Sequence, residues 1–327
     1  MKKFINAPDD FVRDSVAGLV MAHEGLLALN EAPLFVYRRT PKQGRVALVS
    51  GGGSGHEPLH SGYVGAGMLD AACPGEVFTA PTPDQIVAAA QRVEAGQGVL
   101  LIVKNYAGDG ASFQMASDML EVECATVLVN DDVAVEHSLH TTGRRGVAGT
   151  LIVEKMTGAA AEAGADLYEC KTLGARVNAQ TASMGVALTS CTVPEAQAPT
   201  FDIGGTEMEV GVGIHGEPGR YRRPLMPADD IVALLLEPVL QDLALKPGST
   251  VLLHVNGFGG TPLMELHLVS GIATRQLRSA GIQVTRWLVG NHTTSLEMAG
   301  MSITLTKLDD ELTRLWDASV TTPSLRW

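Results

Sequence analysis

Three glycine-containing segments of this 327-residue chain hold the side chains best suited to chemistry. Imidazole, carboxylate and ammonium groups serve as acids, bases, nucleophiles and anion ligands at neutral pH. The candidates and their segments are His56 in SGGGSGHEP (50–58), Lys104 and Asp109 in KNYAGD (104–109), and His215 in GIHGEPG (213–219). Glycines beside these groups permit close approach of a ligand or of neighbouring backbone. The sequence therefore suggests a site built from loops.

The first segment follows the apolar run RVALVS (45–50), so it is predicted to be a loop after a strand. It is not a phosphate-binding P-loop, because the chain contains no Gly-Lys dipeptide. It is not a dinucleotide fingerprint either, because His56, Glu57 and Pro58 stand where that motif needs its last glycine and the start of a helix. Pro58 predicts a first helical turn, which would place His56 at a helix N-terminus. A functional histidine and an exposed histidine in an ordinary strand–helix turn remain equal interpretations.

The second and third segments also allow two interpretations each. Asp109 could accept the proton of a substrate hydroxyl, but an aspartate before a helical pattern is also a favoured N-cap. His215 could add to a carbonyl as a nucleophile, or it could be a turn histidine bonded to its own loop. Taken alone, the residues favour the N-cap interpretation of Asp109, whereas they do not separate the alternatives for His215. Arg144 and Arg222 lie in basic clusters that could dock a partner or simply be solvated.

Apolar runs alternate with helical patterns along the chain, which predicts an α/β fold with two domains, each a mostly parallel or mixed sheet flanked by helices. Residues 9–29 are predicted to form the first helix. We expect an amino-terminal domain over 1–182 that carries the first two segments, and a carboxyl-terminal domain over 183–327 that carries the His215 loop. A chain of this length exceeds what one core normally holds.

Composition excludes several classes of protein. The net charge of −12 disfavours a nucleic-acid binder or an anionic-membrane binder. No apolar run is long enough to span a bilayer, and the amino terminus lacks the apolar stretch of a signal peptide. The four cysteines are widely spaced and no metal-ligand spacing occurs, so we expect a reduced, cytoplasmic protein with no metal site.

Six motifs together resemble the dihydroxyacetone kinase family, specifically its substrate-binding K-type subunit. They are SGGGSGHEP, CPGEVFTAPTP (73–83), LLIVKNYAGD (100–109), GRRGVAGT (143–150), CTVP (191–194) and GVGIHGEPG (211–219). The resemblance runs in order through the whole chain to the terminal TTPSLRW. One departure is Ala107, where family members commonly have threonine. This change leaves the chemical groups in place.

The resemblance implies a role for each candidate. His215 would form a hemiaminal with the ketone of the substrate, which captures short ketoses and rejects glycerol because glycerol has no carbonyl. Asp109 would be the base on the terminal hydroxyl, and His56 a hydrogen-bonding acid or base beside it. The remaining substrate-binding residues carried over from the family are Gly53, Ser54, Gly55 and Lys104.

The resemblance also implies partners. This chain lacks a recognisable nucleotide motif, so nucleotide and Mg²⁺ are expected on a separate L-type subunit and no cofactor on this chain. In the family that subunit receives phosphate from a multiphosphoryl carrier of the phosphotransferase system or by exchange with ATP. The length and the terminal TPSLRW resemble the stand-alone, phosphotransferase-linked subunit, and the family implies a homodimer.

Three other functions compete with this one. A kinase subunit for a related ketose such as erythrulose would use the same His215 chemistry. A non-catalytic ketose sensor that contacts a transcription regulator is a different class, and retention of His56 and Asp109 together with His215 argues against it. A kinase that uses ATP without a partner would need a nucleotide-binding motif, and the sequence shows none.

Overall fold

The structure is a computed structural model that describes residues 2–41, 43–135 and 143–327. The described chain divides into two compact units. The amino-terminal unit comprises residues 2–129, 150–177 and 312–327, and the carboxyl-terminal unit comprises 130–149 and 178–311. A single boundary between residues 182 and 183 does not describe this division, because the chain passes between the units four times.

Twelve strands and eight helices occur in the described residues. The strands are β1 (Leu27–Glu31), β2 (Leu34–Arg38), β3 (Ala47–Ser54), β4 (Ala71–Val77), β5 (Val99–Lys104), β6 (Cys124–Val129), β7 (Thr181–Ala187), β8 (Glu207–Val210), β9 (Tyr221–Pro224), β10 (Thr250–Gly257), β11 (Gln283–Gly290) and β12 (Gly300–Leu308). The helices are α1 (Phe11–Ala22), α2 (Pro83–Val93), α3 (Ala107–Met119), α4 (Gly149–Ala163), α5 (Leu167–Ala179), α6 (Ala228–Asp242), α7 (Leu263–Ser279) and α8 (Asp310–Asp317).

The amino-terminal unit is built on a six-stranded sheet in the order β1-β2-β4-β3-β5-β6. The neighbouring strands β4, β3, β5 and β6 are parallel, and β1 and β2 add an antiparallel edge. The central strands are apolar runs buried on both faces, as parallel strands covered by helices must be. A capping box between Thr82 and Gln85, with Pro83 in the first turn, starts α2 against this sheet.

The carboxyl-terminal unit contains a second six-stranded sheet in the order β11-β10-β12-β7-β8-β9. Only β10 and β11 are parallel, and every other neighbouring pair is antiparallel. Residues of α6 and α7 pack on its apolar strands to form the core, including Leu235, Leu266 and Ile303. Two mixed sheets flanked by helices confirm the predicted α/β class.

Three predictions about the amino-terminal unit are wrong. The helix predicted over 9–29 ends at Ala22, and Leu27 begins β1 instead, because the apolar spacing there serves a strand of the sheet edge. The glycines predicted as a loop lie within β3, which runs through Gly51, Gly52 and Gly53 to Ser54. No α-helix begins at Pro58; residues 61–63 form one short 3-10 turn.

The last sixteen residues belong to the amino-terminal unit. Thr321 donates its backbone N–H to the Ala66 carbonyl, and Ser324 donates to the Gly62 carbonyl. The carboxyl-terminal TTPSLRW motif thus packs on the turn that follows the His56 segment. Within the described residues, no helix is both long and apolar enough to cross a membrane.

Candidate active site

The glycines of β3 are required by what lies against them. A Cβ on Gly52 would lie 2.1 Å from the Lys104 Nζ and 3.3 Å from the Asp109 Oδ2. A Cβ on Gly53 would lie 2.6 Å from the backbone nitrogen of Thr79. The distances of 2.1 Å and 2.6 Å are shorter than the contacts that real Cβ atoms make. The run of glycines therefore lets a buried ammonium group and a neighbouring turn approach the end of the strand.

His56 is fixed immediately after this strand. The residue is 1% exposed, and its ring stacks on Phe78 with 5.1 Å between ring centroids and 17° between planes. Gly55 turns the chain with a φ of 104°, in the region that favours glycine, and its N–H donates to the Glu57 carboxylate. The hydroxyl of Ser54 donates to the Gly75 carbonyl at 2.6 Å. Ser54 is therefore tied to the next strand.

Lys104 and Asp109 meet at the end of β5. Lys104 is the last residue of the strand and is fully buried, and Asp109 lies in the first turn of α3 with 4% exposure. The Lys104 Nζ is 3.4 Å from the Asp109 Oδ2. Tyr106 occupies the N-cap position of α3, so the alternative interpretation of Asp109 as an N-cap is wrong. Its carboxylate pairs with the buried cation instead.

Two further side chains, His60 and Glu154, complete this cluster and were not predicted from the sequence. The Lys104 Nζ is 2.9 Å from the Nε2 of His60, whose Nδ1 is 2.6 Å from the Glu154 Oε1. Burial and then the charges of Lys104 and His56 lower the pKa of His60 well below its usual value. Burial raises the pKa of Glu154 to about 8, although the Lys104 charge opposes this. His60 is therefore neutral at physiological pH.

A cavity of about 370 Å³ opens beside these residues within the amino-terminal unit. Its walls come from β3, the turn after it and α1, and include Gly52, Gly53, Ser54, Glu57, His60 and Leu19. The volume falls within the range of small-molecule sites. Of the predicted substrate-binding residues, Gly53 and Ser54 line it directly. Lys104 and Asp109 adjoin Gly52 of its wall but are not lining residues, and neither are Gly55, His56 and His215.

His215 lies in the carboxyl-terminal unit on the loop after β8. Its side chain is 18% exposed, and its Nδ1 is 2.9 Å from the Glu217 Oε1. Its backbone N–H donates to the other carboxylate oxygen at 2.9 Å. Burial opposes ionisation of Glu217, but the hydrogen bond and charge of His215 and the charge of Arg145 lower the pKa of Glu217 to about 2. In the neutral ring, the carboxylate favours the tautomer with the proton on Nδ1 and the lone pair on Nε2.

A buried ion pair supports this loop. Arg145 donates to the Asp132 carboxylate at 2.8 Å and to the Gly211 carbonyl at 2.8 Å, and both side chains of the pair are buried. Burial raises the pKa of the Asp132 carboxyl to about 6 even though Arg145 opposes the rise. Arg145 is therefore part of the scaffold of the His215 loop rather than of a solvated cluster.

The two arginines with a predicted docking role, Arg144 and Arg222, are paired at the surface of the same unit. Arg144 contacts Asp242 at 2.5 Å, and Arg222 contacts Glu209 at 2.7 Å. Among the described residues, no cluster of three or more histidines, cysteines or acidic residues could hold a metal ion. The structure thus gathers His56, Lys104, Asp109 and the β3 glycines in one unit and places His215 in the other.

Comparison with known proteins identifies the class of protein that carries these two sets of residues. Residues 17–324 match the Dak1 domain family. The chain is 47% identical to the Escherichia coli protein named PEP-dependent dihydroxyacetone kinase, dihydroxyacetone-binding subunit DhaK, over 100% of this chain and 99% of the relative. The chain belongs to the Dak1 family, and the predicted resemblance to dihydroxyacetone kinase subunits is confirmed.

Solved structures give the same fold. The dihydroxyacetone kinase of C. freundii in its native form superposes with a TM-score of 0.91 and 32% identity, over 99% of this chain and 60% of that chain. The dihydroxyacetone kinase operon co-activator Dha-DhaQ superposes with a TM-score of 0.88 and 32% identity, over 95% of this chain and 96% of that chain. A kinase and a co-activator therefore share this architecture.

Proposed function

We propose that this chain is the dihydroxyacetone-binding subunit of a dihydroxyacetone kinase. It holds the ketose while a partner subunit supplies the phosphoryl group. The observation that carries the proposal is the pairing of His215 with Glu217 at 2.9 Å in a chain that matches the Dak1 family over nearly its full length. That pairing gives a partly exposed imidazole one protonated nitrogen and one nucleophilic nitrogen.

The capture step uses this imidazole. The Nε2 lone pair of His215 attacks the ketone carbon, a nitrogen–carbon bond forms, and the π electrons of the carbonyl move to oxygen. The oxygen gains one proton and Nδ1 loses one through the Glu217 carboxylate, so the hemiaminal is neutral. Glycerol has no carbonyl and cannot react. Covalent addition thus selects for ketoses more strongly than hydrogen bonds to hydroxyls do.

The transfer step uses the cluster of the amino-terminal unit. Asp109 accepts the proton of the terminal hydroxyl as the oxygen attacks phosphorus, and His56 is a hydrogen-bonding acid or base beside it. Lys104, 3.4 Å from Asp109, holds that carboxylate in place. Gly53, Ser54 and Gly55 supply the substrate-facing wall, of which two members line the cavity.

The phosphoryl donor is proposed to reside on a separate subunit that binds nucleotide and Mg²⁺. The name of the Escherichia coli relative describes a kinase that depends on PEP, which supports phosphoenolpyruvate as the ultimate donor here. Exchange with ATP is the alternative. The kinase is proposed to contain two copies of this chain. It is proposed to act in the cytoplasm.

Turnover tests the proposal. The chain is combined with the remaining subunits of the Escherichia coli kinase and phosphoenolpyruvate, and formation of the ketose phosphate is measured. Dihydroxyacetone is expected to be phosphorylated only when both this chain and the partner subunits are present, and glycerol is expected to be inert. Erythrulose in a parallel reaction decides between triose and tetrose substrates. If neither dihydroxyacetone nor erythrulose is phosphorylated, the proposal is contradicted.

A ketose-sensing co-regulator is the second candidate function, favoured by the structural match to the operon co-activator. The same assay separates the two. A sensor would bind dihydroxyacetone through His215 without supporting turnover, whereas the kinase subunit does both. Replacement of His56 or Asp109 would leave a sensor unaffected.

A further inference from the structure

The Lys104 ammonium group is surrounded by three acceptors, which equals its number of protons. The Nε2 of His60 is 2.9 Å from Nζ, the Gly51 carbonyl oxygen is 3.3 Å away, and the Asp109 Oδ2 is 3.4 Å away. Lys104 is fully buried, so no solvent replaces an acceptor that is lost. One N–H of Lys104 therefore points to Asp109 only while His60 and the Gly51 carbonyl accept the other two.

The contact with His60 requires one tautomer of that ring. An ammonium group only donates, so the Nε2 of His60 must accept, and the ring proton must lie on Nδ1. That proton points to the Glu154 Oε1 at 2.6 Å. Ser50, whose hydroxyl is 3.0 Å from the same Nδ1, donates its own proton to the Ile102 carbonyl and therefore cannot donate to the ring. The Ser50 oxygen can still accept from Nδ1, but the Glu154 Oε1 is the nearer acceptor, at 2.6 Å against 3.0 Å, so Glu154 contributes most to the choice of tautomer.

We propose that Glu154, on α4, is a positioning residue for Asp109 and acts through His60 and Lys104. By accepting from Nδ1, Glu154 keeps the Nε2 of His60 available to Lys104. Without Glu154, only the Ser50 oxygen at 3.0 Å remains to accept from Nδ1. The ring then places its proton on Nε2 more often, where an N–H faces the ammonium group and moves Lys104 away from Asp109. The effect on turnover rests on the proposed role of Asp109 as the base.

This role does not depend on the charge of Glu154. Its Oε1 accepts from His60 whether the carboxyl group is ionised or carries a proton on Oε2. The Oε2 atom is buried and has no hydrogen-bond partner among the described residues, so a proton there disturbs no other contact. A glutamine at this position can also accept through its amide oxygen. A leucine of similar size cannot accept at all.

That difference defines the variants. Glu154→Leu removes the acceptor, and Glu154→Gln retains it without the charge. Thr157→Val is the matched control, because Thr157 is equally buried on α4 but its hydroxyl donates to the Val153 carbonyl of its own helix. All variants are studied as the full chain, and turnover is measured with the partner subunits.

The first readout is the tautomer of His60, measured by long-range proton–nitrogen NMR on protein labelled with ¹⁵N-histidine. The set of ring signals that disappears in His60→Gln is assigned to His60. The wild type, Glu154→Gln and Thr157→Val are expected to carry the proton on Nδ1, and Glu154→Leu to lose that preference. A wild-type ring protonated on Nε2 would overturn the proposal even if Glu154→Leu does not fold.

The second readout is kinetic. Glu154→Leu is expected to lower kcat by roughly tenfold to a hundredfold, with the KM for the ketose little changed, because a small displacement of a base is costly. Glu154→Gln should stay close to wild type. An equal fall of kcat in both variants, or none in Glu154→Leu, would contradict the proposal. If Asp109→Asn retains turnover, the assigned base is wrong, whereas the tautomer result stands independently.

Discussion

The two sets of candidate residues are held in opposite ways. In the amino-terminal unit, Lys104 and Asp109 are buried at the ends of regular elements, and Lys104 is held by contacts up to 53 residues away, as with the Gly51 carbonyl. In the carboxyl-terminal unit, His215 is 18% exposed on a loop and held by a neighbour two residues away. A base depends on position, whereas a nucleophile must also be reached by its substrate.

The largest effect is expected from the base. Asp109→Asn should lower kcat by about 10²–10⁴-fold, since an amide cannot accept the hydroxyl proton. Ketose capture by His215 should persist, because the nucleophile lies in the other unit. Turnover assays and ketose binding by calorimetry measure the two effects separately. Loss of ketose binding together with turnover would show that the two sets do not act independently.

The scaffold of the His215 loop should be the next most sensitive feature. Arg145→Met leaves the buried Asp132 without its partner, and breaking a buried pair costs about 3–5 kcal/mol of unfolding free energy. The exposed pair of Arg144 with Asp242 offers the control, and Arg144→Ala should cost about 0–1 kcal/mol. Urea unfolding measures both. An equal loss of unfolding free energy in the two variants would contradict the stabilising role assigned to the buried Arg145–Asp132 pair.

A steric change at β3 tests the amino-terminal cluster. Gly52→Ala would drive a Cβ into the Lys104 Nζ, and such overpacking costs about 1–3 kcal/mol. Turnover should fall as well, because Lys104 is displaced from Asp109. Gly110→Ala is the control: its Cβ would meet nothing within 4 Å, and alanine favours the helix. A Gly52→Ala protein as stable and active as Gly110→Ala would contradict the packing described for Lys104.

The smallest effect concerns acid stability of the His215 loop. The pKa of Glu217 is about 2 in the folded chain against an ordinary 4.5, so its stabilising contribution is complete above about pH 4.5 and is lost as the pH falls toward 2. Glu217→Gln should therefore show a weaker loss of unfolding free energy between pH 5 and 3 than the wild type. The exposed Glu195→Gln variant serves as the charge-matched control and should behave like the wild type.

These differences also explain what could be predicted from the sequence. The His215 loop, the Lys104–Asp109 segment and the central strands follow from residues adjacent in the chain, so local pattern was sufficient to find them. The glycines of β3 were misread as a loop, because their sequence does not show that Lys104 and residues 78–79 press against the strand. The edge strand β1 was hidden within an apparently helical spacing.

The tertiary contacts account for the rest. His60 lies four residues after His56, so its position could have drawn attention, but nothing nearby marks its partner. Glu154 lies on a helix rich in alanine, where an isolated glutamate is usually solvent-exposed. Only the folded chain brings it 2.6 Å from His60. Long-range polar pairs of this kind carry no local signal.

The central claim is covalent capture of a ketose by His215. Protein labelled with ¹⁵N-histidine and saturated with [2-¹³C]dihydroxyacetone tests it directly by NMR. A bond between Nε2 and the ketone carbon predicts a tetrahedral carbon signal split by one-bond coupling to nitrogen, absent in His215→Ala. Free hydrate also has a tetrahedral carbon but shows no such splitting. A saturated wild-type protein without the coupling would contradict the account, and the coupling retained in His215→Ala would assign the chemistry to another histidine.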